Sequence, residues 1–500
     1  MASSHVPKER LRQPLTMPDH IWYLIARFMP SDELRRLYGV NKALFHISME
    51  ERYRSVCFCR SDKKMKWLCK NITAPLVQQY VRRVEIKPWQ IEYRAITQPP
   101  RGSIGSLRQA FACFVGGSDD WLPVNAEEAY ARRKLTKAVS KITKAVKDLP
   151  NVHEYKVQCK EGTCDAFFVN GLIPALMRWT RTLTKLTLCV PPGELLRLPE
   201  VRLDHLESLD LMFWTPADDQ NYFRFMVLDP LAVFVNNLYP TLQSLSVAAT
   251  RCAVNVDLTP LFRSLGTFPH MRNFELSMPY DGSSLSCIEP LLSFLARHKG
   301  IHSFRLSTSS AAPRHAPTSV ELREWIPNVL RFLDGSFGNI EDANLALRPL
   351  KAKSTLTALM GFLSAHDSDL TSLTLTEDKT LNIQEIQCMF RSKDQYDFFH
   401  LQHLSLHVLR ISAELFSFLA KTFRNLKNLE IGILYYPRGP EFDIFCEELM
   451  EHWQDFLGWH LKTISIPGRA FPGQERLRSV LIHSMTSLED VQFLTNNPTC

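Results

Sequence analysis

From residue 150 onward the apolar residues recur as a six-residue frame, apolar-x-x-apolar-x-apolar, and each copy follows a stretch with helical spacing. The clearest copies begin at Leu183, Leu206, Leu242, Met271, Ile301, Leu370, Leu401, Leu426 and Leu461, and weaker ones at Val152, Asp342 and Leu488. These starts span 336 residues in 11 intervals of 23 to 41, about 31 residues per unit. Alternation within the frame predicts a short strand: the third and fifth residues after the start enter the core, and the second, fourth and sixth face away. The stretches before it predict helices, as at Leu231, Phe234, Val235 and Leu238, at Leu291, Leu292, Leu295 and Ala296, and at Leu415, Phe416, Phe418 and Leu419. No such unit buries its own apolar face, so the pattern predicts a stacked parallel sheet walled by helices. The charge-free run Pro230 to Thr250 is broken by Asn236, Asn237, Pro240 and Gln243 and reads as helix, turn and strand, not as a membrane span.

Ahead of the array, Leu15 to Met49 carries three short helical patterns. Pro18 and Asp19 suit a helix start, and Ile21, Leu24, Ile25 and Phe28 follow at three-to-four spacing. Pro30 ends that helix; Ser31 suits a cap, with Asp32 and Glu33 in the next first turn before Leu34, Leu37 and Tyr38. Asn41 is placed to cap a third helix carrying Leu44, Phe45 and Ile47. Three helices this short bury little apolar surface alone and are expected to need a partner. Val81 to Ile86 reads as a first strand, Lys87 to Val124 as an irregular linker marked by proline and glycine, and Ser307 to Thr318 as a loop.

These residues resemble an F-box: Met17, Pro18 and Asp19 open it, Ile21, Ile25, Phe28, Leu34, Leu37 and Val40 follow, and Phe45 supplies the aromatic close, over about a tenth of the chain. Asn41, Lys42 and Ala43 replace the common Cys-Arg-x-Trp, as in the large F-box families of fungi. The period lies near the longer end of leucine-rich repeats, so the chain is similar to a divergent F-box and leucine-rich-repeat protein. That resemblance implies an α/β fold. Residues 1–14 are then a disordered tail, 15–60 a three-helix F-box-like module, 61–125 a first strand and irregular linker, and 126–500 a leucine-rich-repeat solenoid with a parallel sheet and outer helices. It also implies a substrate receptor of a cullin-based ubiquitin ligase. Met17, Pro18, Ile21, Ile25, Phe28, Leu34, Leu37, Val40 and Leu44 would meet a Skp-type adaptor, and the array would hold a protein target. The residues themselves leave two alternatives: a repeat scaffold outside any ligase, with the N-terminal helices as a plain cap, or a basic-surface binder of RNA or membrane.

Composition narrows the chemistry. A chain of 500 residues with 45% hydrophobic and 22% charged residues and mean hydropathy of -0.14 has the make-up of a soluble protein. His5, Pro7, Lys8, Glu9 and Arg10 form no apolar signal segment, which points to the cytoplasm or nucleus. The 12 cysteines are scattered, so thiols such as Cys189 and Cys446 are expected to be mostly buried. The close pairs Cys57 with Cys59 and Cys159 with Cys164 lack the further ligands of a zinc site. Asn71 heads a glycosylation sequon that carries meaning only on secretion. Phosphate-cradling loops, HExxH and G-x-S-x-G are absent, and His403 and His407 share a strand without a third ligand, so neither catalysis, metal nor cofactor is expected.

A net charge of +7 is mild for this length, and nucleic acid is not an expected partner. One segment departs from that average: Arg132, Arg133, Lys134, Lys137, Lys141, Lys144 and Lys147 stripe one predicted helix. It is either a solvated outer wall or a surface for phosphate, an acidic protein or a membrane. The outward strand positions carry Lys156, Lys185, Arg305 and Arg348 against Glu154, Asp210, Glu275, Glu430 and Asp490, among many serines and threonines. A mixed, hydrogen-bonding face suits a protein target, and Asp210, Glu275, Arg305, His403 and Glu430 are its candidate contacts.

Overall fold

The computed structural model describes residues 17–59, 62–87, 137–158, 172–190, 195, 198–213, 228–249, 256–309, 324–336, 339–348, 352–376, 380–390, 398–468, 471 and 473–495. The expected tail, nearly all of the linker and Arg132 to Lys134 lie outside the described residues, as do Cys159 and Cys164. The chain divides into two compact units, Met1–Tyr155 and Lys156–Cys500, each built of parallel strands and outer helices.

The first unit opens with α1 (Asp19–Arg27), α2 (Ser31–Leu34) and α3 (Lys42–Tyr53). Asn41 caps α3, its Oδ1 accepting the Leu44 N–H at 2.8 Å. Pro18 and Pro30 each sit one residue before a helix in extended backbone, so Ser31 starts α2 and does not cap it. Ala26, Leu34, Leu44 and Ile47 form the core of this module, with Trp22, Met29 and Leu37 packed against it. Next come β1 (Ser55–Phe58), helices Lys63–Ile72 and Pro75–Gln78, β2 (Arg83–Ile86) and a helix over 137–146. Strands β1 and β2 are parallel, with Ser55 opposite Arg83.

Strand order follows chain order. After β3 (Glu154–Gln158) come β4 (Lys185–Val190), β5 (Ser208–Phe213), β6 (Ser244–Ala249), β7 (Asn273–Pro279) and β8 (Ser303–Ser309). Then follow β9 (Asp342–Ala346), β10 (Ser372–Thr376), β11 (His403–Val408), β12 (Asn428–Ile433), β13 (Thr463–Gly468) and β14 (Asp490–Thr495). From β4 to β14 every strand pairs in parallel with the next. Burial alternates as the frame predicts: in β4, Leu186, Leu188 and Val190 are buried while Lys185 is exposed.

One backbone contact repeats through both units. The carbonyl of the residue just after each frame start accepts two N–H groups from the following unit. The Thr184 carbonyl takes Glu207 and Ser208 at 2.9 and 3.0 Å, and the Lys427 carbonyl takes Lys462 and Thr463 at 2.8 and 3.0 Å. This fork corrects the frame twice. The His302 carbonyl receives Glu341 and Asp342, so the copy assigned to Asp342 begins at Ile340, which is fully buried as a start should be. The Arg54 carbonyl receives Arg82 and Arg83, so the frame already runs from Tyr53 and Val81, well before residue 150.

Other differences follow from packing. On the helix Glu289–Ala296, Phe294 and Leu295 turn inward while Leu292 is half-buried and Ala296 exposed. Ser307 to Ser309 extend β8 where a loop is expected, and 310–318 lie outside the described residues. Only Cys69 and Cys446 of the described cysteines are buried; Cys189 takes an outward strand position and is half-buried, because strand parity outranks its apolar neighbours.

The helical wall carries two polar anchors. Asp455 is held down to about 2 by hydrogen bonds from the Lys421 ammonium and the Ser417 hydroxyl, which ties helix Ala413–Thr422 to the turn His452–Phe456. Deeper in the wall, His298 is 3% exposed; its Nδ1–H donates to the Phe294 carbonyl at 2.7 Å and its Nε2 accepts the Phe268 N–H at 2.8 Å. His366 repeats the Phe-x-x-x-His spacing with Phe362 and is also buried. Burial holds both imidazoles below the ordinary value of 6.5. The unfolded chain therefore binds protons that the folded wall refuses, and stability, constant above the unfolded value, is lost as pH falls below it. We expect thermal unfolding to drop by several degrees between about pH 7.5 and pH 5.5, and His298→Gln to flatten that dependence in a pH series of melting curves.

Candidate functional site

In the second unit the outward strand positions form one face of the sheet, and a recess of about 560 Å³ opens on it from β3 to β9. Asp210, Glu275 and Arg305 all line this recess. Parallel register is the reason: Asp210 pairs with Ser246, Ser246 with Glu275, and Glu275 with Arg305. Asp210 Oδ2 accepts the Thr187 hydroxyl at 2.8 Å and lies 3.4 Å from the Lys185 ammonium, so its charge is partly met within the protein. Glu275 and Arg305 sit opposite one another on neighbouring strands, yet neither enters an ion pair among the described residues. They offer a carboxylate and a guanidinium side by side, which suits complementary charges on a bound chain.

His403 and Glu430 do not share that recess. They line a second depression of about 190 Å³ with Ser372, Thr374, Ser405, Asn428, Thr463 and Ser465. The Asn428 amide donates to His403 Nδ1 at 2.8 Å, and Thr463 Oγ1 donates to Asn428 Oδ1 at 2.5 Å, a lateral chain across three strands. Nearby the His407 ring lies over Gly432, where any Cβ would run into it.

The frame shift at Ile340 changes two assignments. Asp342, read as a start, faces outward beside the recess and accepts the Ser303 hydroxyl at 2.8 Å. Arg348, read as an outward strand residue, lies beyond β9, where its N–H donates to Thr308 Oγ1. Two signals in the sequence point to this shift: the polarity of Asp342 where the frame requires an apolar residue, and the fit of Ile340, Ala343 and Leu345 to that frame.

The first unit presents a different surface. On its helical module Phe28 is 89% exposed, Val40 60%, Leu24 48%, Met17 43% and Ile25 37%. Pro18 is also exposed, and Ile21 and Leu37 are half-buried. Leu34 and Leu44, expected among the adaptor contacts, are instead 6% and 2% exposed. They face inward because α2 and α3 close on Ala26, and these leucines share the core between the helices with Ile47.

Comparison of the chain with protein-family models and with curated proteins gives no match. Among the described residues no group of three His, Cys, Asp or Glu side chains is placed to hold a metal ion, and no helix is long and apolar enough to cross a membrane.

The approach of His407 to Gly432 is testable by itself. Gly432→Val is expected to lift the imidazole off β12 and cost about 1–3 kcal/mol of stability through overpacking. Histidine ring resonances and urea unfolding read the two effects.

Proposed function

We propose that this chain is a substrate-recruiting receptor of a cullin-based ubiquitin ligase, docking through its N-terminal helices on a Skp-type adaptor and holding a protein target on the sheet face of its repeat array. The observation that carries the reading is the surplus of apolar surface on the N-terminal module. Its core is complete with Ala26, Leu34, Leu44 and Ile47, yet Leu24, Ile25, Phe28 and Val40 remain in solvent. A small module that exposes its largest apolar residues after closing its core has the make-up of a docking surface. Ile25, Phe28 and Val40 are also positions at which the chain resembles an F-box, so the resemblance and the exposure agree at these three residues.

The sheet face supplies the other half of the reading. Its recess mixes both charges with serine, threonine and asparagine, a lining that suits a polypeptide better than a polyanion. Such a receptor accelerates ubiquitin transfer by holding the target close to the transferring enzyme and needs no catalytic group of its own.

Ile25→Asp places a carboxylate in a contact that must dry out, and binding to a purified Skp-type adaptor should fall by more than about 100-fold while the melting temperature stays within about 2 °C of wild type. Unchanged adaptor affinity removes the docking assignment. On the sheet face, the triple reversal Asp210→Lys, Arg305→Glu and Glu430→Lys should lower recovery of ubiquitylation targets in pull-downs and leave adaptor binding unaltered. Equal recovery moves the target site elsewhere.

A further inference from the structure

The helix over 137–146, striped with lysine in the sequence, is not the only basic element of the first unit. Lys137, Lys141 and Lys144 are exposed, as is Lys147 just beyond the helix end. Helix Lys63–Ile72, one of two helices between β1 and β2, presents Lys63, Lys64, Lys66 and Lys70 to solvent in the same way. One lysine helix precedes β2 in the chain and the other follows it. Their proximity also registers at Cys69: burial pushes its thiol up to about 11, and the Lys141 ammonium pulls against that rise.

Neither helix contains an acidic residue. Among the described residues none of these lysines enters an ion pair, in contrast to Lys87, Lys185, Lys421 and Lys462. A solvated wall normally intersperses both signs; here like charges are stacked at a spacing of three and four on both helices, a repulsion that the isolated protein gains nothing by keeping. Beside the lysines, the Arg52 guanidinium lies over the half-exposed Trp67 ring at 5.3 Å, adding another cation.

We infer that this two-helix lysine face binds the phosphate backbone of double-stranded nucleic acid, without reading its sequence. Rows of ammonium groups at helical spacing can meet successive phosphates of a duplex, whose backbone carries one charge per about 1.7 Å of axis. Lysine supplies point charges for phosphate and no base-edge fork, which fits backbone contact alone. A membrane fits less well, because the apolar sides of both helices are spent in the core: Met65, Cys69 and Ile72 on one and Val139, Ile142 and Val146 on the other are buried. On these two helices Trp67 is the one large apolar side chain exposed among the described residues, which is little to hold them in a bilayer. Single strands fit less well too, since Trp67 is the lone aromatic on these helices and Arg52 lies over it.

The inference is independent of the ligase reading, and its test uses the full chain. Fluorescence anisotropy with a labelled duplex of about 20 base pairs, titrated across about 50–300 mM salt, should give binding whose affinity falls with a log–log slope of about −0.9 for each lysine engaged. The triple reversals Lys63→Glu, Lys66→Glu, Lys70→Glu and Lys137→Glu, Lys141→Glu, Lys144→Glu should each weaken binding more than tenfold and flatten the slope, with melting curves showing the fold retained. Reversing Lys299, Lys353 and Lys427, exposed lysines of the second unit, should change neither. Absence of salt-dependent duplex binding, as large a loss from the reversal outside the face as from those on it, or tighter association with vesicles containing about 30% anionic lipid than with duplex overturns the assignment.

Discussion

The carbonyl that follows each frame start, accepting two N–H groups from the next unit, is the contact on which the array depends. A strand of four to seven residues cannot satisfy its own backbone, and one apolar stripe cannot bury itself. Both needs are met by the neighbouring unit at one register. Because side chains alternate along a strand, locking that register also decides which residues enter the core and which reach the outer face. A slip of one residue would bury Lys185 and Asp210 and expose Leu186 and Leu209, at a cost of several kcal/mol per unit.

The same constraint assembles the recess. Asp210, Glu275 and Arg305 come from different units and become neighbours because each unit repeats its predecessor's frame. Small side chains at Ser244, Ser246 and Ser303 leave room between the charged groups. Asp210 is positioned by Lys185 and Thr187, whereas Glu275 and Arg305 form no ion pair among the described residues and keep their charge on the open face.

The helical wall is specified differently. Its inner side is sealed by large aromatics and by histidines kept neutral through burial, His298 satisfying the backbone of a neighbouring unit while its ring packs on Phe268 and Phe294. Its outer side is free of packing demands, so charge can be distributed for other reasons. In the first unit it has been concentrated into lysine rows. The exposed stripe of α1 is the apolar counterpart: Leu24 and Ile25 on the helix, and Phe28 just past its end, meet solvent while Trp22 and Ala26 supply the inward side.

Much of this was written in the chain. Strand alternation, the helix before each frame, the Asn41 cap and the outward placement of Asp210, Glu275 and Arg305 all follow from periods of two and 3.6 and from side chains within three residues of the groups they bond. What periodicity cannot carry is which neighbour covers a given face. Leu34 and Ile25 are equally apolar at similar helical spacing, yet one closes a core and the other meets solvent, because only the packing of three helices tells an inward stripe from an outward one. Likewise Tyr53 and Ile340 fit the apolar frame in the sequence, yet it is the backbone bonds to units some 30 to 40 residues away that single them out as starts. The two lysine helices, about 70 residues apart in sequence, are of the same kind: each is an ordinary amphipathic helix by itself, and only the fold brings Lys141 of one within electrostatic reach of Cys69 on the other.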